Sequence, residues 1–362
     1  MEELEKIDIL ALTKEELTTE ITSMGEKAFR AKQIYEWLHV KKVTDFSQMT
    51  NISAQFREAL SRKFCLKHLI IKKRLVSQLD NTVKYLYGLP DGEAVETVLM
   101  EYKHGNSLCI STQVGCRMGC RFCASTIAGF VRHLLPSEML LQVYETERDS
   151  GRHVDSIVLM GIGEPLDNYD NVLKFLTLMN SEGDGMSLRH ISLSTCGVVP
   201  RIYDLAELKT GLTLSISLHA ATDERRSEIM PINRKYHLDE LMKACRYYFS
   251  KTGRRISFEY SLIEGVNDTE QSAQELIDLL GGFMCHVNLI PINEIRERDF
   301  RKSRSVEKFQ KRLCDAGINA TVRRTLGADI SAACGQLRRD GGMNNTDQAV
   351  ENSAEKTTGG EL

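Results

Sequence analysis

Three cysteines at C-x3-C-x2-C spacing share one short stretch, Cys116-Arg117-Met118-Gly119-Cys120-Arg121-Phe122-Cys123. Thiols placed this closely can converge on metal, and three thiolates suit an iron–sulfur cluster, whose irons take cysteine ligands. A tetrahedral structural zinc would need a fourth ligand, usually from a second paired half. No partner C-x2-C or H-x3-H motif lies nearby in the chain. On a [4Fe-4S] cluster, Cys116, Cys120 and Cys123 would leave one iron open to a small molecule. A zinc knuckle or a chance group of thiols is the competing reading.

A loop of this kind needs a scaffold. From about residue 107 the chain alternates apolar runs with amphipathic segments. Strands are expected at Ser107–Thr112, Ser156–Gly161, Ile191–Thr195, Leu212–Leu218, Ile256–Ile263, His286–Ile290 and Ala320–Arg324. Helices are expected between them, at Pro136–Arg148, Asn171–Met179, Leu238–Ser250, Asp268–Leu280 and Ser305–Ala316. Repeated βα units imply a parallel sheet. The fold class is therefore α/β, a complete or partial (β/α) barrel, with chemistry at the ends of its strands. Those ends carry small or polar residues, namely Gly161 to Pro165, Ser194-Thr195, Ser217-Leu218-His219 and Asn293.

Upstream, residues 1–66 read as a small helical accessory domain, with helical spacing in Phe29, Ile34, Trp37 and Leu38. Residues 67–102 read as an antiparallel β linker of three strands, parted by turn residues at Asp80-Asn81 and Pro90-Asp91-Gly92. Residues 103–338 form the expected catalytic domain. The tail, 339–362, is almost without apolar residues and is expected to be disordered.

Composition excludes several classes. In 362 residues there is no run of 18 apolar ones, so no membrane span is expected. Ten cysteines without a secretory pattern point to a reducing cytoplasm and to metal or catalytic roles. Net charge is −3, but residues 340–362 hold five carboxylates against one lysine, which leaves the rest near neutral. Basic runs cluster at Arg62, Lys63, Lys67, Lys72, Lys73 and Arg74, and again at Arg296, Arg298, Arg301, Lys302 and Arg304. Such runs are solvated surface or phosphate contacts.

The cysteine spacing, with Phe122 before the third thiol, resembles the radical S-adenosylmethionine (SAM) superfamily. That resemblance implies a partial barrel of the radical SAM type and SAM chelated at the open iron. It further implies that Gly163 and Glu164 bind the SAM amino group and Ser194 its ribose or carboxylate. Ser217, Leu218 and His219 would line the adenosine pocket, and Asn293 would hydrogen-bond SAM. Taken singly, each residue could equally be a cap, a turn or a satisfied polar group. Further motifs narrow the family: Phe29 to Gln33, Val95-Glu96-Thr97-Val98, Met160 to Leu166, Met230-Pro231-Ile232-Asn233 and Ala332-Ala333-Cys334-Gly335-Gln336-Leu337. Together they resemble the RlmN family of 23S rRNA and tRNA adenine-C2 methyltransferases.

By that resemblance Cys334 carries a methyl group from one SAM, a second SAM supplies the radical, Cys109 resolves the adduct and Glu96 accepts the C2 proton. The resemblance also implies 23S rRNA and tRNA as substrates, an RNA-contacting role for the helical domain, and an external flavodoxin- or ferredoxin-type electron donor. A monomer is expected. The Cfr-type adenine-C8 enzymes share the cluster and both cysteines. Pro165, where that group carries alanine, favours C2.

Overall fold

The computed structural model describes residues 6–332, 336 and 337. Cys334 and the expected disordered tail lie outside the described residues.

The chain opens with a small helical unit. Strand β1 (Ile7–Asp8) pairs in parallel with β2 (Phe64–Cys65), and α1 (Lys14–Ser23), α2 (Phe29–His39) and α3 (Ala54–Lys63) lie between them. Helix α1 starts on a reciprocal cap: Thr13 Oγ1 accepts from the Glu16 amide while Glu16 accepts from the Thr13 amide. The unit is not a separate bead. Its Leu17, Ile34, Leu38 and Phe64 belong to the same buried core as the main sheet. Polar contacts stitch the join, including Tyr35 Oη to Ser181 Oγ at 2.7 Å and His39 Nδ1 to Tyr144 Oη at 3.0 Å.

A ten-stranded sheet follows. The antiparallel strands β3 (Ile70–Val76), β4 (Val83–Gly88) and β5 (Ala94–Tyr102) lead to β6 (Gly105–Cys109). A short ribbon of β7 (Gln113–Val114) and β8 (Arg132–His133) closes the base of the cysteine loop. Helices α4 (Pro136–Ser150) and α5 (Tyr169–Met179) flank β9 (Ser156–Leu159), and β10 (Ile191–Thr195) leads through α6 (Val199–Glu207) to β11 (Thr213–Ser217). Helices α7 (Asp223–Ile229) and α8 (Leu238–Thr252) precede β12 (Ile256–Leu262). Helix α9 (Glu270–Leu280), β13 (Cys285–Pro291), α10 (Val306–Asp315) and β14 (Ala320–Val322) complete the series.

Strand β6 and strands β9 to β14 are mutually parallel and neighbour one another in chain order. Successive right-handed βα units laid down in order wind as a barrel. Among the described residues β14 and β3 do not meet, so the barrel is partial. The α/β class is as expected, and the three antiparallel strands extend the central sheet through the β5–β6 pairing. Helices α6 and α7 were not anticipated. Helix α6 opens Val199-Pro200, a β-branched residue and a proline, and α7 is only seven residues long. Neither offers enough periodicity to read from sequence.

The antiparallel half separates two packing layers by simple alternation. Tyr85, Tyr87 and Thr97 face α4, where their hydroxyls meet Asp149, Thr146 and Gln142 at 2.7–2.8 Å. Lys84, Glu96, Val98, Met100 and, across from Val98, Cys109 face the other way. On that side Val98, Met100 and Cys109 pack against Leu326, Ile330, Ala332 and Leu337 of the C-terminal segment.

Candidate active site

The cysteine loop springs from the end of β6 and folds over the C-terminal ends of the parallel strands. Cys116, Cys120 and Cys123 all line one cavity there. Burial, then the proximity of Cys123, pushes the Cys116 thiol up to about 12, and burial raises Cys120 well above the usual thiol range, with Cys123 and Cys116 adding to it. Three such thiols ionise together only around a multivalent positive centre, since ligation requires the thiolate form. Among the described residues no three His, Cys, Asp or Glu side chains are gathered as a single metal ion would gather them. Three thiols lining one cavity are a donor set that suits an iron–sulfur cluster. A buried guanidinium, Arg226, lies close enough to Cys120 and Cys196 to interact with both electrostatically.

Opposite the thiols stands the Gly161-Ile162-Gly163-Glu164 strand end. Its glycines are required by packing. A Cβ on Gly161 would lie 2.5 Å from the Ile110 carbonyl oxygen, and one on Gly163, at φ +109°, would lie 2.7 Å from Gln113. Gln113 clamps the turn: its Oε1 accepts from the Glu164 amide at 2.9 Å and its Nε2 donates to Asp167 at 2.8 Å. Glu164 is buried, which raises its pKa despite hydrogen bonds to Cys196 and Leu166. Its Oε2 accepts from the Cys196 amide at 2.7 Å and its Oε1 from the Leu166 amide at 3.0 Å. The side chain thus ties two strand ends together.

The other expected SAM residues divide. Ser194 and Ser217 line the cavity, their hydroxyls 3.4 Å apart, and Asn293 lines it from beyond β13. His219 lines it as well, in a left-handed conformation (φ 56°) that is uncommon outside glycine. Its Nδ1 accepts from the Ser261 amide at 2.9 Å, so the neutral ring carries its proton on Nε2. Burial and Arg226 hold its pKa down at about 3. Leu218 departs from expectation. Its side chain belongs to the core, its amide donates to the Glu259 carbonyl and its carbonyl accepts from Arg226. It shapes the strand end and does not line the cavity.

A second cavity adjoins the first, and Met160, Ile290, Asn293 and Arg323 border both. Cys109 lines this second cavity, as do Ala332 and Leu337, the described neighbours of Cys334 in the chain. The segment is held on both sides: Ser125 Oγ, just after the cysteine loop, donates to the Leu337 carbonyl at 2.9 Å. Glu96 is buried on the same sheet face, its Oε1 3.2 Å from Lys84 Nζ.

The N-terminal unit, residues 7–66, matches the family model described as the ribosomal RNA large subunit methyltransferase N-terminal domain. Residues 110–280 match that of the radical SAM superfamily. A protein of Lachnoclostridium phytofermentans named "Probable dual-specificity RNA methyltransferase RlmN" is 55% identical over 338 residues, spanning 92% of this chain and 95% of its own. The chain belongs to the RlmN family of radical SAM RNA methyltransferases. A Thermoanaerobacter pseudethanolicus relative of the same name is 54% identical, over 91% of this chain and 96% of its own. The crystal structure of a radical SAM methyltransferase from Sphaerobacter thermophilus superposes with a TM-score of 0.88 at 40% identity, covering 92% of this chain and 99% of that one. Like other radical SAM proteins, this RlmN-family enzyme uses a [4Fe-4S] cluster and SAM.

Several site residues of this family member escaped the sequence reading. Arg226 donates to the carbonyls of Cys196 (2.7 Å), Ser217 (3.1 Å) and Leu218 (3.1 Å) and to Asn233 Oδ1 (2.9 Å). Glu259 is a buried carboxylate on the cavity wall that accepts from Asn288 Nδ2 at 2.8 Å and lies 3.8 Å from Arg323. A charged residue inside the apolar run Ile256–Leu262 was the available signal for Glu259. No local pattern marks Arg226. In the first basic run, Arg62, Lys63, Lys67 and Arg74 each pair with a carboxylate of this chain, which reduces the charge they present outward.

Proposed function

We propose that the enzyme methylates C2 of a specific adenosine in 23S rRNA, at the peptidyl transferase centre, and of an anticodon-adjacent adenosine in tRNA. The observation that carries this reading is the adjoining pair of cavities. One is lined by the cluster thiols and the expected SAM residues, the other by Cys109 and by the described neighbours of Cys334. A cluster bound to Cys116, Cys120 and Cys123 would supply the electron that cleaves SAM to a 5′-deoxyadenosyl radical. Gly163, Glu164, Ser194, Ser217, His219 and Asn293 would hold SAM against it. Cys334 would take its methyl group from one SAM and would give up a hydrogen atom from that methyl to the radical that a second SAM supplies. The methylene carbon would then bond to C2; the adduct would lose its unpaired electron to the oxidised iron–sulfur cluster and its C2 proton to Glu96. Cys109 would attack the sulfur of Cys334, the pair of the broken S–CH2 bond would go to the methylene carbon, which takes up a proton to become the methyl group, and a Cys109–Cys334 disulfide would remain for external electrons to reduce.

Adenine C2 is inaccessible inside a stacked helix, so the RNA must present the base splayed out, with the helical unit and the basic runs holding its backbone. An electron donor of the flavodoxin or ferredoxin type, a monomeric enzyme and a cytoplasmic setting complete the proposal. The test is mass spectrometry of rRNA and tRNA digests after expression in a host lacking the modification. 2-Methyladenosine in both is expected. 8-Methyladenosine alone would replace the reading with the Cfr-type one, against the indication from Pro165.

A further inference from the structure

Lys84, the partner of Glu96 in a buried ion pair beneath the C-terminal segment, has no part in the reaction as drawn above. Lys84 and Glu96 are both almost fully enclosed, with side-chain exposures of 5% and 3%. They sit on neighbouring antiparallel strands, where Lys84 lies opposite Val98 and Glu96 opposite Leu86, so the two side chains meet diagonally on one face. A second contact gives the pair its direction. Lys84 Nζ also donates to the Ser331 carbonyl at 3.3 Å. Ser331 stands three residues before Cys334, in a left-handed conformation at φ 51°. The turn after β3 fixes the start of the same segment. Asp80 Oδ2 accepts from the Gly327 amide at 2.9 Å, and Asp329 accepts from Ser77 Oγ at 2.6 Å and from the Gln78 amide at 2.8 Å.

One buried ammonium therefore touches both the carboxylate assigned to proton transfer and the backbone leading to the methyl-carrying cysteine. We infer that Lys84 is a positioning residue that holds Glu96 ionised and ties it to the backbone that leads toward Cys334. The inference rests on the proposed reading of Glu96 and Cys334. A carboxylate in an enclosed site keeps its negative charge only beside an opposite charge or strong donors. An ammonium has three donors, so it can serve Glu96 and Ser331 together. In the step the C2 proton passes to Glu96, and the electron pair of the broken C–H bond stays on the base. Other ionisable groups on this sheet face include Lys73 of β3 and Cys109 of β6. The Lys84 ammonium itself meets Glu96 and the Ser331 carbonyl.

The test uses the full-length reconstituted enzyme with an rRNA fragment, and reads covalent RNA–protein adduct on a denaturing gel beside released 2-methyladenosine. In Lys84→Met the adduct should form and persist, with product release slowed about a hundredfold, the lower end of what one general acid–base group contributes. Lys84→Arg should restore most of the release, and Lys84→Met should slow Glu96→Gln no further. If Lys84→Met does not fold, Lys84→Gln, which keeps a neutral donor, reads the same step. Wild-type release in Lys84→Met or Lys84→Gln overturns the inference. So does folded, iron-loaded variant that forms no adduct while Glu96→Gln does, because Lys84 would then act before the proton step. No adduct in Glu96→Gln overturns the reading of Glu96 and the inference with it.

Discussion

The two halves of the sheet face the same chemistry with opposite construction. At the ends of the parallel strands the cavity wall is a lattice of buried polar contacts: Glu164 ties the β9 end to the β10 end, and Arg226 ties β10 to β11. The antiparallel half offers an apolar face on which the C-terminal segment rests through Leu326, Ile330, Ala332 and Leu337, with the single buried pair of Lys84 and Glu96 described there. Cofactor binding needs donors and acceptors held at fixed positions, and a polar lattice supplies that rigidity. Transfer from a cysteine needs a segment that can dock and be repositioned, and non-directional apolar contact tolerates small shifts better than a hydrogen-bond lattice does. The division suggests where substitutions abolish radical generation and where they arrest the reaction later.

The sharpest break is Cys116→Ala. It removes one of the three proposed cluster ligands from the polar side, and iron should fall from about four per chain toward zero together with the brown colour. Methylation should stop entirely, with no covalent adduct. Iron analysis and the visible spectrum check it, and an unchanged spectrum would remove the cluster from this loop. Next comes Cys109→Ala, on the apolar side. The cluster should load normally, and turnover should halt with RNA trapped on the protein. A denaturing gel separates the two variants, one without adduct and one with it.

That contrast follows how far each half could be read in the sequence. The parallel half was legible because its signals are local: the C-x3-C-x2-C spacing, glycines at a strand end, and apolar runs alternating with helices. Ile191–Thr195 was read to the residue, and the other parallel strands to within a few. The antiparallel strands were also legible from turn residues at Asp80-Asn81 and Pro90 to Gly92. Their partnership with the C-terminal segment was not. The Lys84–Ser331 contact spans 247 positions, and no periodicity encodes it. Arg226 was missed because its partners are carbonyls of distant strand ends, and backbone atoms leave no trace in residue identity. Leu218 turns its side chain to the core while Ser217 and His219 line the cavity, because alternation at a strand end sends neighbours to opposite sides.

Arg226→Met tests the lattice itself. The change strips donors from three carbonyls and from Asn233 inside a closed environment. A loss of about 3–5 kcal/mol in unfolding free energy is expected, in the range for breaking a buried charged network. SAM affinity should fall with it, while the trapped adduct of Cys109→Ala has no counterpart here. Denaturant titration and equilibrium SAM binding supply the two measurements.

Acid should weaken the protein through two buried histidines. Burial, then Lys42, holds His39 at about 3, and burial, then Arg226, does the same for His219. An unfolded histidine binds its proton near 6.5, so between about pH 6.5 and 3 the unfolded chain holds more protons than the folded one. Stability therefore rises with pH across that window and falls on acidification, by about 1.4 kcal/mol per pH unit for each ring well below 6.5. His39 sits at the join between the helical unit and α4, away from the cavity. His39→Gln should remove about half of the histidine-dependent slope and leave SAM binding unchanged. Denaturant titrations between pH 7 and 5.5 would show this, and an unaltered slope would mean that His39 titrates normally.

The smallest effect is expected at the clasp that seats the C-terminal segment on the antiparallel half. Asp80 accepts from the Gly327 amide at 2.9 Å and from the Thr82 amide at 3.2 Å. Partial burial works to raise its pKa, but the hydrogen bonds from Thr82 and Gly327 outweigh this and hold it below the usual carboxylate value. Its stabilising contribution is therefore present above about pH 4 and fades as pH falls through its folded pKa. Asp80→Ala at neutral pH should cost about 1 kcal/mol, the ordinary net worth of such a bond. The loss should be local: amides of residues 326–332 exchange faster with deuterium, while those of β10 and β11 keep their protection. Cluster content and SAM affinity should match the wild type, and adduct formation should slow by a few-fold at most. Faster exchange spreading to β10 and β11 would mean that the two halves open as one unit, and the division between them would fail.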